Sequence, residues 1–288
     1  MQQAVDDLVA LLDVEDLEVD VFRAKSPQDG SQRVFGGQVL GQALVAAGRT
    51  VEKDAPAHSF HGYFLRPGDP SLPILYQVDR TKDGRAFTTR RVIAIQRGRA
   101  IFHMEASFHR PEAGLEHQDE MPDVPDPEAL PSLGERMAAL IPHAPEAERA
   151  WLSRDRPIDS RYATQLDLVN PGKLPPRLMV WIRADGALPA DRLVHQCVVA
   201  YASDMTLLDT AMLPHGIGWF DRRWQVASLD HAMWFHRELR ADDWLLYVQE
   251  SPAAALGRAF STGRLFARDG RLVASVVQEG LIRPAPEA

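Results

Sequence analysis

The sequence predicts an α+β fold built from two tandem copies of one unit, each a curved antiparallel sheet wrapped around a central helix. Three observations lead there. The tetrapeptide GRAF stands at 84–87 and again at 257–260, an offset of 173 residues that also carries Arg110-Pro111 onto Arg283-Pro284. An offset of 171 carries Leu75-Tyr76 onto Leu246-Tyr247 and Phe64-Leu65-Arg66 onto Phe235-His236-Arg237, so one two-residue indel before GRAF reconciles the halves. Each half also runs in the same order, an apolar helical stretch followed by about four β-rich segments. A single curved sheet leaves an edge open, and pairing two such sheets edge to edge closes it.

The elements follow in order. Residues 5–16 are amphipathic and predict a short helix, 17–26 alternate like a strand, and DGSQ makes a turn. Two glycines then open a stretch rich in Ala, Leu and Gln at 36–50, which suits a buried helix. HSFHGYFLR, LPILYQVDRT and the pair FTTRRVIAIQ and RAIFHMEASFHR read as strands, the last two forming a hairpin around Arg97-Gly98. Residues 111–158 are rich in proline and acid and lack strand periodicity; they predict a linker wrapping the surface, with a short helical piece at ERMAALI. Strands follow at SRYATQLDLV and RLMVWIRAD, then one long helix over 191–213, then the strands WQVASLDHAMWFHR, WLLYVQES, GRAFSTGRLFARDG and RLVASVVQEGLIRP. This divides the chain into a first unit at 1–110, the linker at 111–158 and a second unit at 159–288.

Composition narrows the function. A hydrophobic fraction of 45% and a charged fraction of 25% are those of a globular protein. No apolar run reaches the roughly 18 residues a membrane span needs. The acidic N-terminal stretch is unlike a secretory signal, and RPAPEA matches no retention or peroxisomal signal, so a cytoplasmic location is expected. The net charge of −8 argues against broad nucleic-acid binding. One locally basic stretch, 80–99, holds Arg90 and Arg91, which read either as solvated hairpin arginines or as a landing area for phosphates. The single cysteine, Cys197, falls in an apolar helical stripe and reads as an inert core thiol, and no spacing of the ten histidines suggests a metal site. No cofactor is implied.

The two copies differ in polarity. Asp204 lies at the border of the stripe formed by Val194, Cys197, Val198, Tyr201, Met205, Leu208 and Met212, in the middle of the expected helix. The matching stretch 36–50 contains no acid. On the last strand, Gln278 shares a face with Leu272, Ala274, Val276 and Ile282, and its counterpart at the offset of 173 is Glu105. Alternation places Ser228 and Asp230 on one face of their strand and His231 on the other; Ser228 falls opposite Ala57 in the first copy. A carboxylate, a hydroxyl and an amide thus stand on separate elements of the second copy.

YASDMTLLDTAM, ASLDHAMWFHR, WLLYVQES and LVASVVQEGLIR, with FGGQVLGQAL and HSFHGYFLRPGDP, resemble the type II acyl-CoA thioesterases of double-hotdog fold. The resemblance covers most of the chain outside the acidic linker. It implies hydrolysis of fatty acyl-CoA, with catalytic residues falling on Asp204, Ser228 and Gln278, and a homo-oligomer, dimer or tetramer. On that reading Asp204 takes a proton from a water held by Ser228 and Gln278, and backbone N–H groups of Gly36 and Gly37 at a helix start receive the oxyanion. Arg90 and Arg91 are the candidates for the CoA phosphates. No G-x-S-x-G elbow is present, so no covalent intermediate is expected. The rival readings are a hotdog enoyl-CoA hydratase using Asp230 and His231, and a non-catalytic acyl-CoA-binding protein.

Overall fold

The structure is a computed structural model that describes residues 1–143, 146–169, 171–219 and 221–285. It opens with helix α1 (Gln2–Leu12), which buries Val5, Leu8 and Leu12. The single strand expected at 17–26 is instead a hairpin, β1 (Glu15–Glu18) and β2 (Val21–Ala24), because the chain turns at Asp20, which adopts a left-handed φ of 58°. Aspartate tolerates that conformation better than most residues. Helix α2 (Gly36–Gly48) is buried from Gly37 to Ala47. Strands β3 (Ala57–Phe64), β4 (Ile74–Asp83), β5 (Phe87–Gln96) and β6 (Arg99–His109) follow. The β5–β6 hairpin turns on Arg97 and Gly98, both at positive φ, the geometry that matches strand twist in a two-residue loop.

The connecting segment has more structure than its composition suggests. It holds α3 (Leu133–Leu140), started by a capping box between Ser132 and Glu135, and α4 (Glu146–Ser153). Leu133, Met137 and Leu152 are buried, so the segment docks on the core rather than merely passing over it. Strands β7 (Ile158–Tyr162) and β8 (Arg177–Ala184) lead to α5 (Arg192–Ser203) and the short α6 (Asp209–Met212). The chain finishes with β9 (Trp224–Ser228), β10 (Asp230–Phe235), β11 (Leu245–Ala255), β12 (Arg258–Ala267) and β13 (Leu272–Pro284).

The expected helix over 191–213 breaks. Ser203 donates its hydroxyl back to the Ala200 carbonyl at 2.9 Å, Tyr247 Oη donates to the Ser203 carbonyl at 3.1 Å, and Asp204 becomes the C-terminal cap. Side chains of this kind compete with the helix's own hydrogen bonds and end it. Asp204 therefore stands at a helix terminus and not in mid-helix.

The strand order β2-β4-β5-β6-β3 meets β10-β13-β12-β11-β8, two copies of one order joined through β3 and β10. At that seam His61 pairs with Ala232, its own counterpart at the offset of 171, so the axis relating the copies passes through this pair. His61 then pairs outward with Glu105, and Ala232 with Val277, an offset of 172. The counterpart of Gln278 is consequently Ala106, buried like it, and not the exposed Glu105. One residue of slip reverses which face a strand side chain takes. The chain thus forms an α+β double hotdog, with α2 and α5 packed antiparallel inside: Gly37 lies against the Tyr201 carbonyl, Gly41 against that of Cys197 and Gly48 against Leu193.

Candidate active site

Asp204 leaves the end of α5 where the antiparallel α2 begins. The N-cap of α2 is Phe35, which offers no side-chain oxygen to the helix start. The Gly37 N–H hydrogen-bonds the Asp204 carboxylate, and a Cβ on Gly36 would lie 2.5 Å from Asp204 Oδ2. The missing side chains of the glycine pair are what let a carboxylate reach the positive end of the helix. From the sheet, Gln278 Nε2 on β13 donates to Asp204 Oδ1 at 2.7 Å and Ser228 Oγ at the end of β9 donates to the same oxygen at 3.1 Å. The structure therefore brings Asp204, Ser228, Gln278, Gly36 and Gly37 together.

The Asp204 side chain is 3% exposed. Burial pushes its carboxyl up to about 6, against the pull of the bonds from Gln278, Ser228 and Gly37 toward the ionised form. Gln278 Oε1 is buried with no hydrogen-bond partner among the described residues, which leaves an acceptor beside the carboxylate. Asp209 is a second buried carboxyl, pushed up to about 7 by burial and by the charge of Asp204 while Trp219 Nε1 donates to it at 2.9 Å.

His231 corrects the alternation expected through 228–231. Ser228 pairs with Gly280 and Ala232 with Val277, so four steps on one strand answer three on the other, a β-bulge at Leu229. Ser228 and His231 therefore face inward together. The fully buried imidazole lies 2.9 Å by Nε2 from Ser203 Oγ and 3.8 Å by Nδ1 from Asp204 Oδ1, and burial pushes it down to about 3, so it is neutral. Asp230 turns away and accepts the Glu279 N–H at 2.6 Å. The bulge left no mark in the pattern of side chains, so His231 was placed on the wrong face.

Asp204 and Ser228 line a cavity of about 520 Å³ with Gly36, Phe64 and Leu208, and Arg33 and Arg66 stand on its wall. A second chamber of about 840 Å³ shares Phe35, Met205, Asp209 and Val226 with the first. The two arginines expected to hold phosphates lie elsewhere. Arg90 is 1% exposed and its guanidinium is spent on the protein: it donates to Thr50 Oγ1 at 2.7 Å, the Thr50 carbonyl at 2.9 Å, the Lys82 carbonyl at 3.1 Å, the Thr89 carbonyl at 3.0 Å and Asp83 Oδ1 at 2.5 Å. Arg90 is a core strut with no donor left for a ligand. Arg91 is exposed on β5, paired with Glu105 of β6, and is not on the cavity wall. Arg33 and Arg66 went unnoticed, although Arg33 stands three residues before the glycine pair and Arg66 closes the repeated Phe64-Leu65-Arg66. Cys197 is buried and its thiol is pushed well up by burial. Among the described residues no group of three or more His, Cys, Asp or Glu could hold a metal, and no helix is long and apolar enough to cross a membrane.

Comparison with known proteins agrees with this geometry. Residues 24–109 match the family model described as the acyl-CoA thioesterase N-terminal domain, and residues 153–281 the model described as acyl-CoA thioesterase. The chain is 40% identical to acyl-coenzyme A thioesterase 8 of Homo sapiens, over 97% of this chain and 90% of that protein. It is 38% identical to acyl-CoA thioesterase 2 of Haemophilus influenzae, over 98% and 99%. Its structure resembles the crystal structure of the acyl-CoA thioesterase II TesB2 from Mycobacterium marinum with a TM-score of 0.79 at 43% identity, covering 98% of this chain and 99% of that one. A duplicated hotdog whose second copy joins an Asp, a Ser and a Gln by hydrogen bonds, matched along nearly its whole length by such relatives, belongs to the type II acyl-CoA thioesterase family.

Proposed function

We propose that this acyl-CoA thioesterase cleaves fatty acyl-CoA by direct attack of water, with Asp204 as general base and no acyl-enzyme. The observation that carries the mechanism is the convergence of Gln278 Nε2 and Ser228 Oγ on one oxygen of a buried carboxylate. Those two donors hold the carboxylate in place. Water giving one hydrogen to Asp204 and the other to Ser228 Oγ keeps a lone pair for the thioester carbonyl. The proton passes to Asp204, the C–S bond breaks as the tetrahedral intermediate collapses, and CoA leaves as the thiolate. Donors at the start of α2 receive the oxyanion; Gly37 N–H is engaged by Asp204, which leaves Gly36 N–H for that role. Ser228 serves as a hydrogen-bond donor and not as a nucleophile, since the neutral His231 holds Ser203 and not Ser228. The hydratase reading fails on geometry, because Asp230 and His231 address different partners.

Arg33 and Arg66, on the wall of the cavity, are better placed for CoA phosphates than Arg91. We retain the division into units at 1–110 and 159–288 around the segment 111–158. A cytoplasmic homo-oligomer is the setting we infer. The test is incubation with a saturated fatty acyl-CoA and detection of free thiol. Thiol release by the wild type and its loss in Asp204→Asn are expected; equal rates for the two would sink the mechanism.

A further inference from the structure

Asp209 is a carboxyl on the wall of the catalytic cavity that the attack of water does not use. It opens α6, and its N–H bonds the Thr206 carbonyl at 3.1 Å. Trp219 Nε1 holds its Oδ2 at 2.9 Å. Its Oδ1 has no hydrogen-bond donor among the described residues, yet it is not one of the sealed oxygens that lack a partner. That oxygen is therefore open to the space the residue lines. Burial, helped by the charge of Asp204, pushes the carboxyl up to about 7, so the two carboxyls stand close enough to feel each other.

A bound acyl-CoA offers this oxygen one of two chains. The acyl group is hydrocarbon and would leave Oδ1 covered and without a donor, which is costly. The arm of CoA carries an amide N–H two methylenes from the sulfur. The walls divide the same way. Those that the cavity does not share with the chamber include Val39, Phe64, Ile101, Phe102 and Leu208, which suit hydrocarbon; their one charged group besides Asp204 is the exposed Arg66. The chamber sets Arg33, Arg154, Arg156 and Arg222 against Asp29 and Asp221, an excess of positive charge that favours an anion. Asp209 stands on the wall common to both spaces, beside Phe35, Met205 and Val226. A thioester at Asp204 with its phosphates toward the chamber must carry the arm past it.

We propose that Asp209 is a specificity-determining residue that accepts a hydrogen bond from the CoA amide nearest the sulfur, so that the arm leaves through the chamber and the acyl group fills the rest of the cavity. This deepens the thioesterase reading of the Asp204 site and rests on it.

The test compares three thioesters. Octanoyl-CoA and octanoyl-N-acetylcysteamine keep that amide, and S-pentyl thiooctanoate puts methylenes in its place. Asp209→Leu should lower kcat/KM at least about tenfold for the first two and less than about twofold for the third. Equal losses on all three overturn the proposal, since a structural fault spares none. Faster hydrolysis of octanoyl-CoA also overturns it, by placing hydrocarbon beside residue 209. Should Asp209→Leu fail to fold, Asp209→Asn has one carbonyl oxygen to divide between Trp219 and the amide. It should show the same pattern with smaller losses, and a uniform loss overturns the proposal again. Calorimetric titration with S-octyl-CoA, a thioether that cannot be hydrolysed, separates the two readings. Unchanged affinity in the variant defeats this proposal and leaves hydrolysis standing. A wild type that binds the thioether about tenfold more tightly than the variant, yet frees no thiol from octanoyl-CoA, defeats the thioesterase reading alone.

Discussion

Gln278 Nε2 lies 2.7 Å from Asp204 Oδ1 although 74 residues separate the two in the chain. The bond spans the last strand of the sheet and the end of the helix inside it. It orients the carboxylate and, with Ser228, opposes the effect of burial on its ionisation.

Asp204→Asn keeps the shape of the side chain and removes the base. kcat/KM for acyl-CoA hydrolysis should fall by about 10²–10⁴, the usual worth of general-base help. Free-thiol release at saturating substrate measures it.

The pH dependence follows from the carboxyl held at about 6. The base is ionised above that value and protonated below it, so kcat/KM should fall about tenfold for each pH unit below about 6. Stability moves the other way. The folded chain binds this proton up to about 6 and the unfolded chain only to about 3.8, so between those values folding takes up a proton and stability declines as pH rises. Asp204→Asn should remove the part of that decline due to Asp204 and leave the part due to Asp209, held at about 7, to be read as melting temperature against pH for both proteins.

Gly36→Ala places a methyl carbon 2.5 Å from Asp204 Oδ2 and 3.0 Å from the Phe64 ring, and Gly37→Ala drives one into the Tyr201 carbonyl and the Phe35 ring. Either change should push the start of α2 off the carboxylate. Losing one preorganised oxyanion donor costs about 10²–10³ in kcat. Steady-state kinetics at pH 8, where Asp204 is ionised in any case, isolates this effect from a change in its proton affinity.

Arg90→Met and Arg66→Ala separate a strut from a ligand contact. Arg90→Met removes five hydrogen bonds at about 1 kcal/mol each and should lower stability by about 3–5 kcal/mol, leaving KM unchanged in the folded fraction. Arg66→Ala, on an exposed residue of the cavity wall, should raise KM for acyl-CoA several-fold with little change in melting temperature. Denaturant unfolding and a substrate series measure the two.

His231→Gln retains a polar group beside Ser203, whereas His231→Phe does not. The first should preserve most activity and the second should lower kcat more than it raises KM, since the imidazole packs against the helix end that carries Asp204. A kcat equal to wild type in His231→Phe would remove the histidine from the positioning of the base.

The repeat was legible from the sequence because matching offsets survive in side chains that both copies need for the same core. So was the polar asymmetry, since Asp204 has no acidic counterpart in 36–50 and Ser228 faces an alanine. The order helix-then-strands, written twice, suffices for the double hotdog, because burial of an apolar helix by a curved sheet is a pattern of short-range periodicities. What escaped it depends on single residues of slip. The break of the long helix at Ser203, the bulge at Leu229 and the change of offset from 171 to 172 are each set by long-range hydrogen bonds that leave no periodic mark. Those slips decided that Asp204 caps a helix, that His231 faces inward and that Ala106 answers Gln278. Arg90 illustrates the same limit: a guanidinium looks alike in sequence whether it meets solvent or five acceptors of the fold, and only the tertiary structure supplies the acceptors.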